Sequence, residues 1–178
     1  MLSLAAALRQ VKLSGCVKLS GCGRAGAEGS RRMLDFAIER GAIMSGNLPV
    51  DTVLAFLEQI NARNVDGLCA LMTGDHVFLD GLGNRMQGRE SMRKGWAGYF
   101  RMFPDYRVSH TDVFSQGDVV AAFGSAEGTL AVKGELPKEN HWSASAAWCA
   151  VVRDGLIAEW QVYADNQSAR KIMGVQNP

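Results

Sequence analysis

The second half of the sequence constrains the fold most, because tight-turn signals there separate long segments of strand-forming residues. Asp154-Gly155 is the strongest of these signals, since Asp-Gly suits a two-residue β-hairpin turn. Gln116-Gly117-Asp118 is a second plausible hairpin turn. The segments are YRVSHTDVFS, VVAAFGSAEGTLAV, HWSASAAWCAVV and LIAEWQVYAD. This pattern predicts a sheet of long antiparallel strands.

Helical periodicity precedes these strands. Apolar residues recur at helical spacing in LPVDTVLAFLEQINAR and in GRESMRKGWAGYFRMF, and VDGLCALM reads as a short helix between them. A strand, HVFLD, interrupts the helices, and alternation places His76, Phe78 and Asp80 on one of its faces. The order predicts an α+β fold, in which about three helices pack on one face of a mostly antiparallel sheet.

Composition favours one domain, because 47% of the 178 residues are hydrophobic. Residues 44–178 carry twelve basic against fifteen acidic residues, which gives no electrostatic footprint for nucleic acid. No apolar run reaches the roughly 18 residues that cross a membrane. Cys69 and Cys149 lie in helical and strand patterns that suit buried free thiols, so we expect a reducing, cytoplasmic setting.

The first 46 residues are expected to be a poorly structured extension. Residues 11–22 repeat the hexapeptide VKLSGC, which is too short for a solenoid repeat, and residues 1–43 carry seven basic against three acidic residues. This composition fits a transit-like leader, or a start assigned too early with Met44 as the true start. Gly21–Gly26 matches the dinucleotide fingerprint without a buried strand before it, so the match is weak. The domain is expected at residues 47–174, with a tail at 175–178.

The stretches INARNVDGLCALMTGDHVFLDG, QGRESM, FPDYRV, GDVVAAFGSAEG and DGLIAEWQVYADN occur in an order that resembles the nuclear transport factor 2-like superfamily. Within it, the SnoaL-like polyketide cyclases and ketosteroid isomerases are the most similar families. The resemblance covers about residues 48–174. It implies a curved sheet wrapped around a conical pocket that is plugged by helices, and a homodimer formed through the outer face of the sheet.

The resemblance also implies candidate site residues. Alignment to the ketosteroid isomerase pattern places Asp80 on the general base of that enzyme, whose site also contains an oxyanion hole of a tyrosine and a protonated aspartate. Phe56 occupies the position of the tyrosine, and Ala146 or Ala147 that of the second acid. None of these side chains donates a hydrogen bond, which argues against a steroid isomerase.

Asp80 therefore has two interpretations. It is either a general base, desolvated by a pocket that includes Phe78, Trp96 and Phe100, or an acid that only forms the turn before Leu82. The expected proton donor beside such a base is His76, two positions earlier on the same face, or Tyr163.

Further pocket-lining residues are expected on the later strands. His110 shares a predicted face with Tyr106, Val108 and Phe114, and Tyr163 shares one with Asp165. The isomerase alignment turns the Tyr163 face inward, although the opposite assignment, with Trp160 and Val162 inward, stays open. The predicted substrate-binding residues are Phe56, Phe78, Trp96, Phe100, His110, Tyr163 and Asp165.

No metal or cofactor is expected. His76 and Asp80 are four strand residues apart, or roughly 13 Å between Cα atoms, which is too far for one zinc ion. Two functions remain: a cofactor-free isomerase, cyclase, dehydratase or hydrolase acting on a small apolar molecule, or a non-catalytic ligand-binding or dimerising module.

Overall fold

The computed structural model describes residues 48–174, which form four α-helices and six β-strands. The helices are α1 (Pro49–Ala62), α2 (Val65–Ala70), α3 (Arg89–Met102) and α4 (Gln167–Ile172). The strands are β1 (Met72–Leu79), β2 (Arg85–Gln87), β3 (Arg107–Gln116), β4 (Val119–Thr129), β5 (His141–Arg153) and β6 (Leu156–Ala164). The predicted extension at 1–46, including the Gly21–Gly26 fingerprint, and the predicted tail at 175–178 lie outside the described residues.

The six strands form one curved sheet in the order β2-β1-β6-β5-β4-β3. All neighbouring pairs are antiparallel except β1 and β6, which run parallel. The α+β prediction is confirmed, and the three predicted helices are joined by a fourth, α4.

The helices begin where the sequence signals them, but α2 ends at Ala70, two residues before the end of the predicted VDGLCALM segment. Pro49 occupies the first position of α1, where its missing N–H costs nothing. The Asn64 side chain caps α2 by accepting a hydrogen bond from the Gly67 N–H at 3.0 Å. In α3 the buried residues Met92, Trp96 and Phe100 recur every four positions, so one face of the helix contacts the sheet.

The turns also follow the sequence, whereas one strand boundary does not. Asp154 and Gly155 both have positive φ, at 54° and 74°, as the predicted two-residue turn between β5 and β6 requires. Strand β1 begins at Met72, four residues before the predicted HVFLD segment. Its early start is fixed by β6, because Met72 pairs with Ile157 and the Ile157 N–H donates to the Leu71 carbonyl at 2.7 Å.

Two β-bulges decide which side chains face the helices. Between β5 and β6 the pairing skips Ala158, so Ile157 and Trp160 are both buried although strict alternation would separate them. Between β3 and β4 the pairing skips Thr111, so Val113 contacts the core and Phe114 is exposed. Gly124 makes the second bulge possible, because a Cβ there would lie 1.9 Å from the Ser109 carbonyl oxygen.

The core lies between the helices and one face of the sheet. Its largest fully buried side chains come from α1, α2, the α3–β3 connection and β6, including Phe56, Ile60, Leu68, Phe103 and Trp160. We call this side of the sheet the inner face and the opposite side the outer face.

Candidate functional site

His76 is a fully buried polar residue of the inner face. Its side chain has no solvent exposure, and it lies on the same face of β1 as Phe78, which packs against the core. The Nδ1 atom is 2.8 Å from the backbone carbonyl oxygen of Ile157 on β6. Because a carbonyl only accepts hydrogen bonds, Nδ1 carries the proton, and in the neutral ring Nε2 then has a free lone pair.

The environment keeps this imidazole neutral. Burial lowers the pKa of His76, and this effect outweighs the opposing influence of the Ile157 carbonyl and of the nearby carboxylates of Asp75 and Glu159. The Nε2 atom is buried and has no hydrogen-bond partner within residues 48–174. His76 was predicted to act as an acid, but a neutral imidazole bonded in this way offers an acceptor instead.

Asp80 lies just beyond the end of β1 and organises the loop to β2. Its Oδ1 accepts from the N–H groups of Leu82 and Asn84, both at 2.9 Å, and its Oδ2 accepts from the Asn84 side-chain amide at 2.9 Å. The Asp80 backbone carbonyl accepts from the Gly83 N–H at 3.0 Å. This is the turn-forming arrangement of the two that the sequence left open, while a catalytic role for Asp80 stays a prediction.

His76 and Asp80 do not act on each other. No hydrogen bond or ion pair joins them in the described part of the chain, since the bonds of His76 go to β6 and those of Asp80 stay within its own loop. The structure therefore separates the two predicted catalytic residues into an interior acceptor and a loop-forming carboxylate.

The predicted apolar wall residues meet in the interior. Phe56 packs against Trp160 and Trp96, with ring centroids 4.7 and 6.4 Å apart, and Trp96 stacks on Phe100 at 5.3 Å. All four are buried, whereas Phe78 is partly exposed. The Nε1–H group of Trp96 is buried and finds no acceptor in residues 48–174, so the interior contains a free donor as well as the free acceptor of His76.

A second group of aromatic rings adjoins Trp96. Tyr99 lies 6.1 Å from Trp96 and 4.8 Å from Tyr106, and Tyr106 lies 6.1 Å from Trp142, measured between ring centroids. Burial raises the pKa of both tyrosines above its ordinary value, so both phenols stay protonated. No residue of this second group of rings was among the predicted site residues.

Three predicted pocket residues do not reach the interior. Tyr163 is 53% exposed on the outer face and Asp165 is exposed beyond the end of β6, so the inward assignment of this face is wrong. Trp160 and Val162 point inward instead, because the bulge at Ala158 sets the phase of β6.

His110 is the third of these residues. It pairs with Gly124 on the inner side of β4, but its side chain is exposed to solvent. The expected face it shares with Phe114 does not exist, because the bulge at Thr111 sends Phe114 to the outer face.

The partner that orients His76 was not foreseen. It is a backbone carbonyl 81 residues away in the chain, and a carbonyl leaves no trace in the residue types that a sequence shows. Among the described residues, no three His, Cys, Asp or Glu side chains converge as a metal site would require. No helix in residues 48–174 is long and apolar enough to cross a membrane.

Comparison with known proteins gives the fold a family context. The family model of the SnoaL-like domain matches residues 53–160. IdmH of Streptomyces antibioticus, provisionally assigned as a polyketide cyclase, is 27% identical with a TM-score of 0.59, over 71% of this chain and 99% of that one. No curated protein matches the chain by sequence.

Two further solved structures share the fold at lower identity. A Catenulispora acidiphila protein with a ketosteroid isomerase-like fold, solved with trimethylamine, is 23% identical with a TM-score of 0.61, over 72% of this chain and 98% of that one. A protein of Shewanella denitrificans, provisionally assigned as a SnoaL-like polyketide cyclase, is 14% identical with a TM-score of 0.62, over the same shares of the two chains.

Proposed function

The chain belongs to the SnoaL-like domain family, and on that premise we propose that it binds a small apolar molecule at the inner face of its sheet. In this proposal the Nε2 atom of His76 is the polar group that the ligand meets. The observation that carries the proposal is the free lone pair of a fully buried imidazole whose other nitrogen is fixed by the Ile157 carbonyl. A buried polar atom without a partner costs free energy, and a ligand that bonds to it removes that cost.

The surroundings of His76 define what such a ligand would be. Aromatic and aliphatic side chains, among them the partly exposed Phe78 and Val162, supply the apolar surface. His76 Nε2 supplies an acceptor, and the Nε1–H of Trp96 supplies a donor in the same interior. A compact ring system that carries a hydroxyl or acidic C–H group together with a carbonyl matches this set.

The same groups support proton transfer without a cofactor. A neutral imidazole can remove a proton from the carbon next to a carbonyl, and an indole N–H can stabilise the negative charge that develops on the carbonyl oxygen. The likeness to IdmH, provisionally a polyketide cyclase, supports a reaction of this kind. His76 is thereby preferred over Asp80 as the base, because the Asp80 oxygens already accept three hydrogen bonds in their own loop.

Proton exchange of an aromatic ketone tests the proposal. In deuterated buffer, 2-tetralone should lose its signals from the carbon next to the carbonyl faster in the presence of the protein, as followed by proton NMR. His76→Asn should abolish the acceleration, because asparagine keeps a donor near the place of Nδ1 and removes Nε2. Asp80→Asn serves as the matched control and should retain it; the reverse pattern would transfer the role of base to Asp80.

The second candidate function is a binding or association module without catalysis. The interior rings already pack on one another, and the outer face carries a separate apolar surface. On that face Phe123 contacts Phe114 with ring centroids 6.0 Å apart and is followed, in register across the sheet, by Ala147 and Tyr163. Phe114, Phe123 and Tyr163 are each about half exposed or more, which favours a second copy of the chain as partner.

Sedimentation equilibrium tests this homodimer. Phe123→Glu should shift the wild-type molecular mass from a dimer toward a monomer, because it places a charge at the centre of the apolar surface. Leu136→Glu makes the same type of change at an exposed apolar residue of the β4–β5 loop and should leave the mass unchanged. A wild-type monomer at high concentration would contradict the proposed association.

A further inference from the structure

A cleft of about 440 Å³ opens where α1 ends and the chain enters β3. Its lining residues are Asn61, Arg63, Pro104, Asp105 and Arg107. Volumes of this size are typical of small-molecule sites, which range over roughly 300–1,000 Å³. No residue of the proposed site around His76 lines this cleft, so the inference below does not rest on the proposed function.

Two of the lining side chains are committed to holding the cleft together. The Asn61 side chain donates to the Val108 carbonyl at 2.9 Å and accepts from the Val108 N–H at 2.8 Å, which fastens the end of α1 to β3. The Asp105 Oδ1 atom accepts from the Thr129 N–H at 2.7 Å, which fastens the segment before β3 to β4. These bonds fix the walls of the cleft from both sides.

Arg63 and Arg107 are not committed in this way. Both are exposed, and within residues 48–174 neither guanidinium takes part in an ion pair or in a side-chain hydrogen bond of the kind that occupies Arg93 and Arg153. With the carboxylate of Asp105 included, the cleft carries a net positive charge. Two arginines without a side-chain partner among the described residues thus line one small concave surface.

The backbone at Arg63 adds an independent observation. Arg63 ends α1 with φ 54° and ψ 31°, the left-handed conformation that glycine usually provides at this place. A residue with a side chain pays roughly 1 kcal/mol or more for this conformation. The strain is thus located at a residue that lines the cleft.

We propose that this cleft binds a small oxyanion, a carboxylate or phosphate group, between Arg63 and Arg107. Guanidinium groups match both of these anions, because their parallel N–H donors pair with two oxygens at once. Glu127 lies opposite Arg107 in the register of β3 and β4, so in this proposal it is the carboxylate that would compete with the ligand for this arginine.

Isothermal titration of the full chain with inorganic phosphate and with malonate, at an ionic strength held constant with chloride, tests the proposal. Binding of either anion supports the site and identifies which of the two groups it prefers. Arg107→Gln should weaken that binding at least tenfold, and so should Arg63→Gly, a variant that suits the backbone conformation and therefore folds. Glu127→Gln should strengthen it.

Arg101→Gln is the matched control, because Arg101 is an exposed arginine of α3 that does not line the cleft. It should bind the anions as the wild type does. The proposal is overturned if neither anion binds more tightly than chloride. It is also overturned if Arg101→Gln weakens binding as much as Arg107→Gln, since the response would then reflect overall charge.

Discussion

Replacing Asp80 by asparagine distinguishes a loop-forming acid from a strained catalytic base. A carboxylate kept in an unfavourable apolar site for chemistry destabilises the fold, so its neutralisation should raise the stability. A carboxylate that receives three hydrogen bonds stabilises the fold, so the same change should lower it. The contacts of Asp80 with Leu82 and Asn84 predict the second result.

The magnitude follows from those contacts. The asparagine introduced by Asp80→Asn can still accept from the two backbone N–H groups through its Oδ1, and the Asn84 amide can turn its oxygen toward the new amide, but the three bonds lose the negative charge that strengthens them. A hydrogen bond to a charged group contributes about 1.5–3 kcal/mol and a neutral one about 0.5–1.5 kcal/mol, and the partial exposure of Asp80 keeps the total loss near the lower end, at about 1.5 kcal/mol. A loss of about 1.5 kcal/mol should lower the melting temperature by roughly 4–8 °C for a domain of this size.

Thermal unfolding followed by circular dichroism measures this shift, with Asp118→Asn as the control at an exposed turn. A second variant sharpens the test: Asp80→Asn combined with Asn84→Asp exchanges donor and acceptor, and it should recover most of the lost stability. A melting temperature of Asp80→Asn above that of the wild type would refute the reasoning, and so would a double variant no more stable than the single one.

Three further predictions concern His76, Asn61 and Gly124. Burial lowers the pKa of His76, so the folded state binds fewer protons than the unfolded state near and below the ordinary value of 6.5. The free energy of unfolding should therefore be highest above that pH and should fall as the pH drops below it. Melting temperatures measured from pH 7.5 to 5 follow this fall, and His76→Asn should make it smaller. Asn61→Ala should lower the free energy of unfolding by roughly 2 kcal/mol, because the N–H and the carbonyl of the buried Val108 both lose their partner. Urea titration measures this change, and an unchanged midpoint would contradict the prediction. Gly124→Ala should cost about 3 kcal/mol or more, because its Cβ meets the Ser109 carbonyl oxygen, whereas Gly74→Ala, which meets no atom within 4 Å, should cost far less in the same urea titration.

Local signals in the sequence were sufficient for the order of the elements. Pro49, Asn64 and Asp154-Gly155 act within a few residues of their own positions, so the helix starts and the hairpin turn they indicate are present in the structure. The apolar spacing of α3 likewise depends only on helix geometry, which is why Trp96 and Phe100 were correctly placed in the interior.

Features that depend on distant parts of the chain were not predictable in this way. The bulges at Thr111 and Ala158 shift the alternation of their strands, and each is defined by pairing with a neighbouring strand. Strict alternation therefore assigned Phe114 and Tyr163 to the wrong face of the sheet. The Ile157 carbonyl determines which ring nitrogen of His76 carries the proton. The sequence therefore placed the ring in the interior but could not assign it the role of acceptor.

The parallel pairing of β1 with β6 has a consequence for how the protein is made. Strand β1 enters the sheet beside the last strand of the chain, about 80 residues later in synthesis, and such distant pairings form slowly because a long loop must close first. While the ribosome is still adding β6, His76 has no Ile157 carbonyl to orient it. A nascent chain that stops before residue 156 can form the β3-β4-β5 meander, but it lacks the strand that completes the interior around His76. The candidate site is thus completed only once β6 has been made, and termination before Ile157 removes the carbonyl that orients His76.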